Sequence, residues 1–209
     1  MAGGRNPLQL PPGERRAALS QHLLAVLEPL LADGTSYGDL SVERIIRAGK
    51  IARRTFYAYF ADKGDLLQAM AGQVIDEIFA GGHAWWALAD DATRDDLRAA
   101  LQPAAEAYLR HRTIMRAVAE ASAYDARVRD TYGTLMAGTI RDLRTHLERQ
   151  QEQGLAHPSL DPERTATWVV WMLERGLYQA VSADGAQDAE PWIDTLAEIV
   201  WRALYEGYR

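Results

Sequence analysis

Arg53 and Arg54 stand side by side at the start of ARRTFYAYF, a run that reads as a single helical stretch from about Ala52. Each guanidinium is a planar fork of N–H donors that matches O6 and N7 of guanine. Thr55 and the Ala58 methyl suit a phosphate or a thymine methyl, and the hydroxyls of Tyr57 and Tyr59 suit phosphate oxygens. Cations at a helix start oppose the helix dipole, so stability alone would place acids there. The chemistry these residues offer is recognition of a polyanion.

The distribution of charge agrees. The 209-residue chain carries a formal net charge of −6, yet Ser41 to Phe60 hold five cations (Arg44, Arg47, Lys50, Arg53, Arg54) against the single anion Glu43. From Gly81 onward there are 14 arginines and no lysine against 20 acidic residues, a balance that repels phosphate. A basic island in an acidic chain fits a small DNA-reading module joined to a larger domain of another purpose.

Several elements must position that island. Residues 1–13, with three prolines and three glycines, read as a flexible arm. Leu19, Leu23, Val26, Leu27, Leu30 and Leu31 recur at three and four, predicting an amphipathic helix that ends at Asp33-Gly34, with Pro29 kinking it or stopping it early. Ser41 opens a short second helix and Gly49 closes it. The third helix carries Arg53 and Arg54. Asp62 caps a long fourth helix that Gly81-Gly82 should break, and Lys63 lies at its start, where amides and dipole favour phosphate. Further helices are predicted at about 93–111, 112–121, 126–153, 162–182 and 190–208, with Gly154 to Asp161 and Ala183 to Gln187 as connecting loops. Nothing alternates with period two for long, so the fold expected is all-α, with about nine helices. Two short helices joined by Ala48-Gly49-Lys50-Ile51, the second of them basic, describe a helix-turn-helix.

The string T-F-Y-x-Y-F-x-D-K, Thr55 to Lys63, about 40 residues after the first helix begins, resembles the TetR family of bacterial transcriptional regulators. The resemblance spans roughly Glu14 to Ile78, and the remaining length fits that family's helical ligand-binding domain. It implies that Phe56 and Phe60 are core, that Thr55, Tyr57, Tyr59 and Lys63 contact phosphates, and that Arg53, Arg54 and Ala58 read bases. Ser41, at the start of the second helix, completes the expected DNA-binding set together with Lys50. Two departures stand out: Lys50 takes the usual glycine position and Ala52 the usual serine cap. A positive φ at Lys50 would cost about 1 kcal/mol, and the lost cap about as much again, while the Lys50 ammonium adds a phosphate contact.

The expected organisation is thus an arm (1–13), a helix-turn-helix domain (14–61) and a ligand-binding and dimerisation domain (62–209). All six tryptophans (Trp85, Trp86, Trp168, Trp171, Trp192, Trp201) fall in the last of these. The helices at 162–182 and 190–208 are apolar on more than one side, which calls for a partner chain to cover the second side. A homodimer through the last two helices, joined as a four-helix bundle as in TetR relatives, would hold two reading helices about 34 Å apart, or a multiple of that, on palindromic double-stranded operator DNA.

Trp168 to Tyr178, W-x-x-W-M-L-E-R-G-L-Y, and Asp194 to Val200, D-T-L-x-x-I-V, resemble the TetR branch typified by the repressor of the mycobacterial ethionamide-activating monooxygenase. That branch implies a long apolar channel for an elongated hydrophobic effector. The branch's ligand-bonding asparagines are matched here by Val170 and Leu173. The pocket expected from the inward faces comprises Leu97, Leu101, Tyr108, Met115, Tyr132, Leu135, Met136, Val170, Leu173, Glu174, Leu177 and Trp201, with Glu174 and Arg175 read as a structural ion pair. The function expected is a cytoplasmic, effector-released regulator, in the sense of a repressor, with no cofactor.

Other chemistry fares less well. The acidic run Asp90 to Asp96 resembles a metal motif of helical prenyl-chain enzymes, but acids at a helix start, capped by Thr93 or Asp91, are what the dipole favours. Five histidines without ligand spacing read as surface or capping residues, and the absence of cysteine excludes disulfides and thiolate metal sites. No apolar run approaches the roughly 18 residues of a membrane span. The alternatives to a DNA-binding regulator are an all-helical enzyme with an apolar pocket and a helical scaffold, the latter requiring Arg53 and Arg54 to be buried in ion pairs.

Overall fold

In the computed structural model, residues 11–184 and 190–208 are described. The described residues form nine α-helices: α1 Pro12–Ala32, α2 Val42–Gly49, α3 Arg53–Tyr59, α4 Lys63–Trp86, α5 Arg94–Arg110, α6 Arg112–Ser122, α7 Ala126–Glu152, α8 Pro162–Asp184 and α9 Glu190–Leu204, with a 3-10 turn at Tyr37–Asp39 and no strand. No helix among them is long and apolar enough to cross a membrane. Most of the predicted arm, and the loop beyond Asp184, lie outside the described residues. The contacts group the chain into two compact units, residues 1–73 with 113–132, and 74–112 with 133–209.

In the first unit α1 turns Leu19, Leu23, Leu27 and Leu31 into the core, where Ile45, Phe56, Phe60, Leu66, Leu67 and Met70 are fully buried with them. Pro29 does not stop α1, which continues one turn further to Ala32 and ends at Asp33-Gly34 as expected. The α2–α3 turn follows from three local facts. The Ser41 hydroxyl accepts the Arg44 N–H and caps α2. A Cβ on Gly49 would lie 2.5 Å from Leu23 Cδ2, so any larger residue would force the buried Leu23 side chain of α1 to shift, and His22 Nε2 lies 2.8 Å from the Gly49 carbonyl it caps. Lys50 then reverses the chain at φ 50° and ψ 40°, the one left-handed non-glycine among the described residues.

Ala52, at the start of α3, has no side chain to cap it. Both departures from the expected motif therefore carry their cost in this fold. Lys50→Gly and Ala52→Ser are each expected to raise stability by about 1 kcal/mol in urea unfolding, with Lys50→Gly also weakening DNA binding through the lost cation.

The α4 N-terminus is held by charge. Asp62 accepts the Asp65 N–H at 2.9 Å, and Arg127 bridges Asp62 (3.1 Å) and Asp125 (3.0 Å). These bonds hold both carboxyls below their ordinary range, Asp62 chiefly through the Asp65 amide and Asp125 chiefly through Arg127. Carboxylates with a depressed folded pKa stabilise above the unfolded value, near 4, and that contribution disappears as pH falls through the folded value. Arg127→Gln is expected to lower Tm at pH 7 and to flatten its fall between pH 5 and 3, as measured by circular dichroism melts.

In the second unit α5 packs along α9 and both meet α8. Ile193, Ala197, Val200 and Leu204 give α9 its buried stripe against Leu97, Ala100, Leu101 and Tyr108 of α5. Ion pairs flank the seam: Arg98 with Glu190 and Asp194, and Arg94 with Glu198. Contrary to expectation, Gly81-Gly82 do not break α4. Two glycines cost about 1 kcal/mol each in a helix, and continuing to Trp85, which is fully buried, more than offsets that. Trp85 Nε1 donates to the Tyr205 hydroxyl at 2.8 Å, and that hydroxyl lies 3.0 Å from His146 Nε2.

Candidate functional site

α3 has two faces. Phe56 and Phe60 are buried on one side, while Arg53, Arg54, Tyr57 and Ala58, at positions i, i+1, i+4 and i+5, form the exposed side. Thr55 and Tyr59 are half-buried at the edges. The Arg53 side chain is 66% exposed; its Nη1 lies 2.7 Å from Glu43 Oε1 and its guanidinium 5.4 Å from the Tyr57 ring centre. Arg54 makes no ion pair or hydrogen bond among the described residues. Arg44, Arg47 and Lys50 are exposed as well, so all five cations of the basic island face outward.

Ser41 is exposed beside them, its oxygen committed to the α2 cap. Lys63 behaves differently from the expected phosphate contact. Its ammonium donates to the carbonyls of Gly38, Leu40 and Tyr37, so its three protons close the 3-10 turn. The Tyr37 hydroxyl in turn donates to the Lys63 carbonyl at 2.6 Å; burial, then Asp62, pushes that phenol well above its ordinary pKa.

Arg44 and Arg47 belong to the basic island but not to the expected site, although their spacing already places both on α2. Glu43 was visible only as the island's single anion. Its contact with Arg53 joins two helices and needs the folded turn.

Of the expected effector residues, Leu97, Leu101, Tyr108, Met136 and Val170 are buried in the second unit, and Leu135, Leu173, Glu174, Leu177 and Trp201 are half-buried there. Met115, buried, and Tyr132, half-buried, belong to the first unit. Tyr108 is 3% exposed, and its hydroxyl has no hydrogen-bond partner among the described residues. Burial first, then Glu174 and Tyr178, raises its pKa, so it stays a protonated phenol. A separate cleft of about 520 Å³ runs between α4 and α7, lined by Ile75, Phe79, Trp86, Leu135, Thr139 and Asp142 among others. Leu135 is the one expected residue that lines it. Sequence reasoning missed this cleft because it depends on how far two helices stand apart.

Two expectations change, and a third holds. Glu174 and Arg175 form no ion pair: adjacent helical positions point about 100° apart, and Arg175 is exposed, 4.8 Å from the Tyr178 ring centre. His111 and His146 are buried, against Glu77 and Tyr205 respectively, and are not surface residues, although His111 keeps the expected capping role at the C-terminus of α5. The Asp90 to Asp96 run is a helix start. Thr93 and Asp96 make a reciprocal capping box on α5, which lowers the Asp96 pKa, and no metal-ligand cluster occurs among the described residues.

Comparison with known proteins accounts for both parts of the chain. The family model "Bacterial regulatory proteins, tetR family" matches residues 32–70, and "Transcriptional regulator EthR, C-terminal domain" matches residues 97–206. The HTH-type transcriptional regulator EthR of Mycobacterium tuberculosis is 27% identical over 206 residues, covering 94% of each chain, and that of Mycobacterium bovis matches equally. Among solved structures, Salmonella enterica GusR superposes with a TM-score of 0.70 at 17% identity, over 94% of this chain and 98% of that one. PfmR of Thermus thermophilus, a TetR family regulator, gives 0.68 at 17% over 87% and 97%. With a helix-turn-helix whose basic side is exposed and an EthR-type domain following it in the sequence, the chain belongs to the TetR family of DNA-binding transcriptional regulators, in the group that shares the EthR C-terminal domain.

Proposed function

We propose that the protein is a cytoplasmic repressor that binds a palindromic operator as a homodimer and is released by a small, largely apolar effector. The reading head is residues 14–61, and residues 62–209 bind the effector and dimerise. Arg53, Arg54 and Ala58 face base edges, while Ser41, Lys50, Thr55, Tyr57 and Tyr59 engage phosphates. Lys63 serves the same face by holding the turn behind it. The observation that carries the reading is the exposed face of α3, which sets two arginines and a tyrosine outward on a basic island in a chain of net charge −6.

Dimerisation is supported by Trp168, Trp171 and Met172 on α8 and Trp192 and Ile199 on α9, large apolar side chains left exposed on helices that pack together. The effector reading is supported by the EthR-type domain and by the unpartnered hydroxyl of Tyr108, which an acceptor on the effector would satisfy. Effector binding would favour a spacing of the two heads that no longer fits successive grooves.

Gel shifts on DNA upstream of the gene test the reading. The intact protein is expected to bind with an affinity that falls steeply with salt, and Arg53→Ala/Arg54→Ala to lose at least tenfold. Unchanged binding by the double variant would reject it.

A further inference from the structure

The two adjacent arginines of α3 are not equivalent. Arg53 is held on two sides, by Glu43 from another helix at 2.7 Å and by the Tyr57 ring at 5.4 Å from its centre. Arg54, next to it, is exposed and has neither contact. Restraint and charge then point the same way. Sequence reading needs a guanidinium presented in one orientation, because the paired bonds to guanine O6 and N7 form only when the fork is in plane with the base. With Nη1 on Glu43, the side-on pair of Nε and Nη2 protons remains for the base.

The carboxylate of Glu43 also repels a phosphate but has no such quarrel with a neutral base edge. An unrestrained, uncompensated arginine has the opposite qualities. It adapts to a phosphate wherever the backbone runs and contributes full charge.

We propose that Arg53 is the base reader and that Arg54 is the backbone contact in place of the second base-reading arginine that the family resemblance implies, and that Glu43 and Tyr57 are positioning residues that determine sequence preference through Arg53. This rests on α3 being the reading helix.

Affinity selection from random duplexes, using the full chain and the variants Glu43→Gln, Arg53→Ala, Arg54→Ala, Tyr57→Phe and Tyr57→Ala, tests it. All of these side chains are exposed, and circular dichroism melts check that each variant folds. Glu43→Gln and Arg53→Ala are expected to lose, at the same base pair of each half-site, a guanine preference of roughly tenfold. Glu43→Gln should also bind random duplex more tightly, by about threefold at low salt, because an anion beside the phosphates is gone. Tyr57→Phe keeps the ring and the preference; Tyr57→Ala weakens the preference.

Arg54→Ala is expected to select the same sequence as the intact protein, to bind every duplex more weakly, and to reduce the salt slope by about one per head. The proposal is overturned if Glu43→Gln or Arg53→Ala selects the unaltered sequence, or if Arg54→Ala erases a base preference. If the intact protein enriches no sequence at all, the assignment of α3 as the reading helix falls with it.

Discussion

Trp168→Glu is expected to leave the chain folded, to make it monomeric and to reduce operator affinity at least a hundredfold. Trp168 is 78% exposed on α8, while the buried side of that helix is made by Ala166, Val169 and Val170, so the substitution leaves the core of the second unit intact. In the proposed dimer the same indole enters the bundle of α8 and α9 with Trp171, Met172, Trp192 and Ile199. Buried tryptophans are the commonest energetic anchors of interfaces, and two copies of a desolvated, unpaired carboxylate across a two-fold axis add repulsion. Losing the partner removes the tether that makes the second half-site contact intramolecular, a loss of about 10²–10⁴ in affinity. Light scattering after gel filtration reads the mass, and gel shifts on a palindrome and on an isolated half-site read the binding. The variant should retain half-site binding and lose the palindrome's advantage. A dimeric Trp168→Glu would show that α8 does not form the interface.

Trp85→Ala is expected to cost about 3–5 kcal/mol of stability. Trp85 is among the largest fully buried side chains, and its N–H donates to Tyr205, which follows α9 and lies against His146 of α7. Truncation leaves a cavity the size of an indole and strips a buried hydroxyl of one donor. Tyr205→Phe keeps the ring but withdraws the oxygen that both Trp85 and His146 face, and is expected to cost less, about 1–3 kcal/mol. Urea unfolding of the two variants, with Trp85→Ala the less stable, checks the order. Equal stabilities would mean that the polar network, and not the volume, dominates this corner of the fold.

Much of this was legible without coordinates because it is local. Leucines at three and four determine α1; the Ser41 cap and the Gly49 stop determine α2; clustered acids with Thr93 or Asp91 as cap mark the start of α5, where the structure gives the cap to Thr93. Even the strained Lys50 could be anticipated, since one position in the turn must reverse the chain. Local rules failed where burial outweighed them. Gly81-Gly82 looked like a break, but the chain carries on as helix to bring Trp85 into the core. His146 reads as a surface or capping residue, but packing buries it against the Tyr205 hydroxyl.

By itself, the sequence determined an all-helical chain with a basic helix-turn-helix ahead of a larger acidic, tryptophan-rich domain, because propensity, capping and charge act over a few residues. Only the tertiary structure decided that Glu43 grips Arg53 and leaves Arg54 alone, that Lys63 turns its ammonium inward, that Tyr108 is buried without a partner, and that α4 and α7 leave a cleft. Those outcomes depend on distances between residues far apart in the chain, and no periodicity or composition encodes a distance.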